Sequence, residues 1–156
     1  IMITGHRPNK LGGYAEDNPV AKKVRKEIRL LLNNLNELAP VTGITGMAIG
    51  SDQYFAQECL DLDIPYIAYV PFEGQENVWP SQVRDRYSFL ISQSMDVIKV
   101  SEGNYTPKKM KLRNMEMSDN ADLAIAIWDG ERSGGTYHCI SYLRERAKVP
   151  IIFIEI

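Results

Sequence analysis

The sequence predicts a three-layer, doubly wound α/β fold on a mostly parallel sheet, and three observations lead there. Short apolar runs alternate with amphipathic helical stretches from end to end, giving five or six βα units. The links are short and carry Gly, Pro or Asn at helix starts and stops. The run Leu123–Trp128 is apolar without alternation, as in a strand covered on both faces.

Each element follows in order. IMIT (1–4) is a short strand that runs into the polar, Gly-rich loop GHRPNKLGG. Asn18-Pro19 supply an N-cap and a proline at the first helical position. Val20, Val24, Ile28, Leu31, Leu35 and Leu38 then recur at steps of three and four, predicting one core-facing stripe that Pro40 ends. Val41–Ile44 form a second strand, and Gly46–Asp52 turn into a helix carrying Phe55, Cys59 and Leu62. IPYIAYVPF (64–72) is a buried-type strand, followed by the loop EGQENVWP. A helix from Ser81 points Val83, Tyr87, Leu90 and Ile91 inward. After the strand Asp96–Val100 and the loop SEGNYTP, Thr106-Pro107 open a helix with Met110, Asn114 and Met117 on one face. Strand Leu123–Trp128, a helix through Arg146 and the strand Pro150–Ile156 complete the chain.

Composition narrows the function. One domain is expected over residues 1–156, with 44% hydrophobic and 24% charged residues. A net charge of −2 gives no global attraction to nucleic acid. No apolar run approaches the ~20 residues that span a bilayer. With no leader visible before Ile1, the expectation is a cytoplasmic protein whose Cys59 and Cys139 are reduced thiols. Those cysteines with His6 and His138 show no metal-ligand spacing, so neither metal nor cofactor is expected.

A doubly wound sheet binds ligands beyond the carboxyl ends of its strands. Four post-strand loops therefore carry the candidates. TGHRPNKLGG offers Gly5, His6 and Arg7, whose guanidinium suits phosphate or carboxylate. GITGMAIGSD offers Gly46, Gly50, Ser51 and Asp52, without the Lys of a Walker sequence. PFEGQENVWP offers Glu73 and Trp79, a ring that could stack on a base or simply pin the loop. WDGERSGGT ends in Asp129, Gly134, Gly135 and Thr136, the opening of a helix where free N–H groups attract phosphate. Arg113 and Asn114, just before the fifth strand, could reach the same ligand or belong to a wet basic face with Lys108, Lys109 and Lys111.

TGHRPNKLGGY, GMAIGSDQYFAQ, PFEGQENVWP, RNMEMSDNADLAIAIWDG and GGT stand in one order over nearly the whole chain. Together they resemble the YpsA-like branch of the SLOG superfamily, which also holds DprA and the Lonely Guy phosphoribohydrolases. The resemblance implies a Rossmann-like fold that binds nucleotides, nucleotide-derived signals or nucleic acid. It aligns Gly46, Gly50, Ser51 and Asp52 with a DprA-like helix start. It aligns Arg113, Asn114 and Met117 with an element of the hydrolases, and Gly134–Thr136 with their phosphate loop. Those hydrolases place a catalytic Glu three residues after the loop Thr, where this chain has Cys139. A neutral thiol cannot stabilise an oxocarbenium-like transition state.

The leading expectation is therefore a module that senses or sequesters a nucleotide or an ADP-ribose-type molecule. The alternative is an N-glycosidase acting on nucleoside monophosphates, with its carboxylate drawn from Asp52, Glu73, Glu116 or Asp129. Single-stranded DNA binding comes third. Association into a homo-oligomer is a further expectation, with Met110 and Met117 serving either an interface or the core.

Overall fold

The computed structural model describes residues 1–156 as six strands and five α-helices. In chain order they are β1 (Met2–Gly5), α1 (Pro19–Leu38), β2 (Gly43–Thr45), α2 (Ser51–Asp61) and β3 (Tyr66–Val70). Then follow α3 (Ser81–Ser92), β4 (Asp96–Lys99), α4 (Pro107–Asp119), β5 (Ala124–Trp128), α5 (Gly134–Tyr142) and β6 (Ile151–Glu155). All pairings are parallel, so the sheet is wholly rather than mostly parallel, in the order β4-β3-β2-β1-β5-β6.

Strand pleating divides the interior into two cores. Ile3, Tyr66, Ala68, Ile125 and Ile127 face α1, α2 and α3, where they meet Val24, Ile28, Phe55 and Leu90. Met2, Ile44, Tyr69 and Ala124 face α4 and α5, where they meet Met117, Cys139 and Leu143. Cys59 lies in the first core and Cys139 in the second, both unpaired. Ala124, Ile125, Ala126 and Ile127 are fully buried, which is why β5 carries no polar alternation.

α1 begins as expected: the Asn18 side chain accepts from the Ala21 N–H at 2.9 Å, and Pro19 follows. Val24 and Ile28 are buried as expected and Leu31 packs against the core, while Ala21 and Leu32 join them as fully buried positions. Val20 is 36% and Leu38 84% exposed, so both ends of the expected stripe are corrected. A ladder of six large residues outweighed Ala21, yet this small side chain is fully buried in the core that α1 shares with α2. The last helix runs through Arg146 as expected, its end, Leu143–Ala147, widening into a π-helix closed by Lys148 in the left-handed region (φ 57°).

Strand order reverses at β1. Its successors β2, β3 and β4 spread to one side, while β5 and β6 lie on the other. The crevice where doubly wound sheets take ligands thus opens over the carboxyl ends of β1 and β5.

Candidate functional site

A cleft of about 550 Å³ occupies that position, within the range of roughly 300–1,000 Å³ usual for small-molecule sites. Its floor is Ile3 to Arg7 at the end of β1, and one wall is Ser133 to Thr136 at the start of α5. Ala48 and Asp52 enter from α2 and the loop before it, and Met110, Arg113 and Asn114 from α4.

The loops are held together by hydrogen bonds that leave little play. The His6 carbonyl accepts from both the Ser51 N–H (3.2 Å) and the Ser51 hydroxyl (2.9 Å). Asp129 Oδ2 accepts from Lys10 Nζ at 2.7 Å. His6 Nε2 stands 3.2 Å from the Asp129 main-chain N–H and 2.9 Å from its Oδ1, so the imidazole engages whichever partner its proton allows. Lys10 chiefly, with the Glu131 N–H and His6, holds the Asp129 carboxyl well below the ordinary range.

Glycines of the candidate set divide into two kinds. A Cβ on Gly5 would lie 2.5 Å from Ser51 Oγ, one on Gly46 2.4 Å from Arg113 Nη1, and one on Gly50 2.8 Å from the His6 carbonyl oxygen. These three let protein segments approach one another. Gly46, Gly50 and Ser51 do not reach the cleft surface; they form the scaffold beneath it. Gly134 and Gly135 meet nothing within 4 Å and open onto the cleft. Gly134 also needs its φ of +83°.

The opening of α5 is uncapped. Ser133, at the N-cap position, gives its hydroxyl to Glu131 Oε1 at 2.9 Å instead of accepting from the helix. The first-turn N–H groups therefore lack a side-chain partner, and the positive end of the helix dipole points into the cleft.

Arg113 is 4% exposed and has no carboxylate within ion-pair distance. Its Nη1 donates to the Gly46 carbonyl at 2.6 Å and its Nε to Asn114 Oδ1 at 2.9 Å. Because Arg113 can only donate, the Asn114 amide must turn its oxygen inward and its NH₂ away. Asp52, 8% exposed, accepts from the Ala48 N–H at 3.1 Å. Burial pushes its carboxyl up, against the weaker opposing pull of Arg113, the Ala48 N–H and Arg7.

The other candidates lie elsewhere. Trp79 packs edge-on against Tyr87 with centroids 5.4 Å apart, so it pins its loop to α3 and does not line the cleft. Glu73 and Glu116 are exposed and outside the lining. Met117 is buried in the second core and Met110 lines the cleft, so neither is an exposed interface residue. Cys139, which stands three residues after Thr136, is not itself part of the cleft lining. It is 2% exposed, faces the sheet side of α5, and sits 4.0 Å from Ser118 Oγ, its thiol pushed up by burial.

Sequence reasoning passed over Lys10, Tyr105, Lys111 and His138 as ligand contacts, although all four line the cleft. Lys10 stood inside a quoted motif and was open to discovery. An isolated Tyr in a loop and a Lys on a polar helix face carry no periodic signal.

A sequence model of the YspA SLOG family matches residues 1–156. UPF0398 proteins of Bacillus thuringiensis (strain Al Hakam) and Bacillus cereus (strain AH187) are each 24% identical over 155 residues, covering 96% of this chain and 84% of the relative. The X-ray structure of DNA processing protein A (DprA) from Streptococcus pneumoniae superposes with a TM-score of 0.66 at 16% identity. It covers 97% of this chain, which spans about half (48%) of that protein, and the likeness is one of fold.

Proposed function

Since the chain belongs to the YspA SLOG family, we propose that its cleft binds a nucleotide or nucleotide-derived phosphate as a sensing or sequestering site. The observation that carries this reading is the uncapped start of α5, which opens into a cleft also lined by Arg7, Lys10, Lys111 and Arg113. Free N–H groups, a helix dipole and several cations in one concave site suit a phosphate. Arg113 fits the same role, since a buried guanidinium with no carboxylate at ion-pair distance is a costly arrangement that an anionic ligand relieves.

Titration calorimetry against AMP, the other nucleoside monophosphates and ADP-ribose tests this. Binding is expected with at least one of them, weakened at least tenfold by Arg113→Lys, which keeps the charge but not the planar fork. Absence of heat with every one of them at millimolar concentration sinks the reading.

One observation favours hydrolysis as a second reading. Asp52 lines the cleft, and burial pushes its carboxyl up, as suits a general acid at an N-glycosidic bond. That reading expects free base from a nucleoside monophosphate on prolonged incubation, lost in Asp52→Asn. Chromatography without base release removes it. Single-stranded DNA needs a train of stacking rings along a basic groove. The cleft offers one tyrosine, so that reading is not carried forward.

A further inference from the structure

The loop 101–106 leaves the edge strand β4 and enters α4 at the rim of the cleft. It is well tethered. The Ser101 N–H donates to the Pro71 carbonyl at 3.0 Å, and Thr106 Oγ1 accepts from the Lys109 N–H at 3.2 Å as the cap of α4. Lys109 Nζ also donates to the Asn104 carbonyl and lies 6.0 Å from the centre of the Phe72 ring.

This framework displays Tyr105. The ring lines the cleft yet is 62% exposed, and its hydroxyl makes no hydrogen bond within the protein. Phe72 supports it in a T-shaped contact at 6.2 Å and 70°, which leaves much of the ring uncovered. A large aromatic left in water on a tethered loop forgoes the burial that it would gain in the core. Beside it stand Pro107 and Met110, whose side chains have no N–H or O–H. Cations reach the cleft from both sides, Arg7 and Lys10 after β1 and Lys111 and Arg113 on α4, whereas the open N–H groups belong to α5 and the aromatic and apolar shelf to the start of α4.

We propose that Tyr105 is the stacking platform for the base of the bound nucleotide, with Pro107 and Met110 completing the shelf, so that the site selects base-bearing phosphates over bare sugar phosphates. The assignment rests on the phosphate-binding reading of the cleft. Stacking on the Tyr105 ring accepts any aromatic face, and purines, with the larger face, bind better than pyrimidines.

The test compares AMP, UMP and ribose 5-phosphate by calorimetry on the wild-type chain, Tyr105→Ala and Tyr105→Trp. The wild type is expected to bind AMP more tightly than UMP, and ribose 5-phosphate at least tenfold more weakly than AMP. Tyr105→Ala is expected to lose about tenfold in AMP affinity, the scale of one base stacked on one aromatic ring, and nothing in ribose 5-phosphate affinity. Tyr105→Trp retains AMP binding and so shows that the ring, not the hydroxyl, is used. Equal wild-type affinity for AMP and ribose 5-phosphate overturns the base platform and leaves the phosphate site standing. Unchanged AMP affinity in Tyr105→Ala, or an equal loss for both ligands, overturns it too. Failure of the wild type to bind any of the three overturns both the platform and the reading beneath it.

Discussion

At the scale of single residues, two glycines that look alike in sequence do different work. Gly46 leaves room for Arg113, whereas Gly135 leaves room for nothing within the protein. Gly46→Ala is therefore expected to cost about 1–3 kcal/mol through overpacking against a buried guanidinium. Gly135→Ala is expected to leave thermal stability unchanged and to weaken nucleotide binding by narrowing the cradle. Paired melting and calorimetry check both, and a stable Gly46→Ala would show that Arg113 can shift freely. A sequence records that a Cβ is absent and not what fills its place, so Gly46 and Gly50 resembled ligand contacts although they lie beneath the cleft, while Gly5 both lines it and makes room for Ser51. Arg7, Asp52 and Gly134–Thr136 were legible as cleft residues because each lies in the loop or helix start that comes after a strand. Asp52 adds a pH dependence. Burial raises its carboxyl in the folded chain, so the native state holds this proton more tightly than the unfolded one. Its stabilising contribution is complete below the unfolded value of about 3.9 and is lost as pH rises through the folded one. Asp52→Asn keeps an oxygen for the Ala48 N–H, and should gain stability over the wild type as pH is raised from about 4 to about 7. Denaturation curves at those two pH values decide it; a gain that shrinks as pH rises contradicts the raised carboxyl.

At the scale of elements, strand and helix order could be read directly, because the spacing of apolar residues switches between helical and strand periods. Periodicity gave the extent of the last helix and not its winding, which changes to a π-helix over Leu143–Ala147. The buried face of α1 includes Ala21, at 0% exposure, while the larger Val20 stays at the surface. Its start shows a local signal that does hold. Asn18 Oδ1 meets the Ala21 N–H, and the same side chain donates to the Ala15 carbonyl at 2.6 Å. Asn18→Ala should cost about 1 kcal/mol by loss of the cap, or roughly 2–4 °C in a chain of this size. A melt within 1 °C of wild type, roughly, would mean that Pro19 alone fixes the helix start.

At the scale of the whole molecule, one sheet serves both cores, so neither layer has a boundary at which to unfold separately. The tryptophans report on different parts. Trp79 packs beside the first core, and Trp128 stacks on Tyr137 of α5 at 6.2 Å. Unfolding of Trp79→Phe and Trp128→Phe, each followed through the remaining indole, is expected to give transitions of the same cooperativity that coincide with circular dichroism. An earlier fluorescence transition from Trp128 would make the α4–α5 layer a separate unit. No helix is long and apolar enough to cross a membrane.

The pairing of β1 with β5 also sets a clock. Met2 lies beside Ala124, so the neighbours that frame the cleft are separated by most of the chain, whereas β1 to β4 pair in sequence order. On a ribosome adding about 5–20 residues per second, the β1 loop waits on the order of ten seconds for the strand and helix that complete its site. During that interval the flank of β1 meant for β5 is an unpaired edge, open to a wrong strand. The nascent chain is thus most exposed to misassembly at the place where the finished protein has its cleft, and β5 closes both at once.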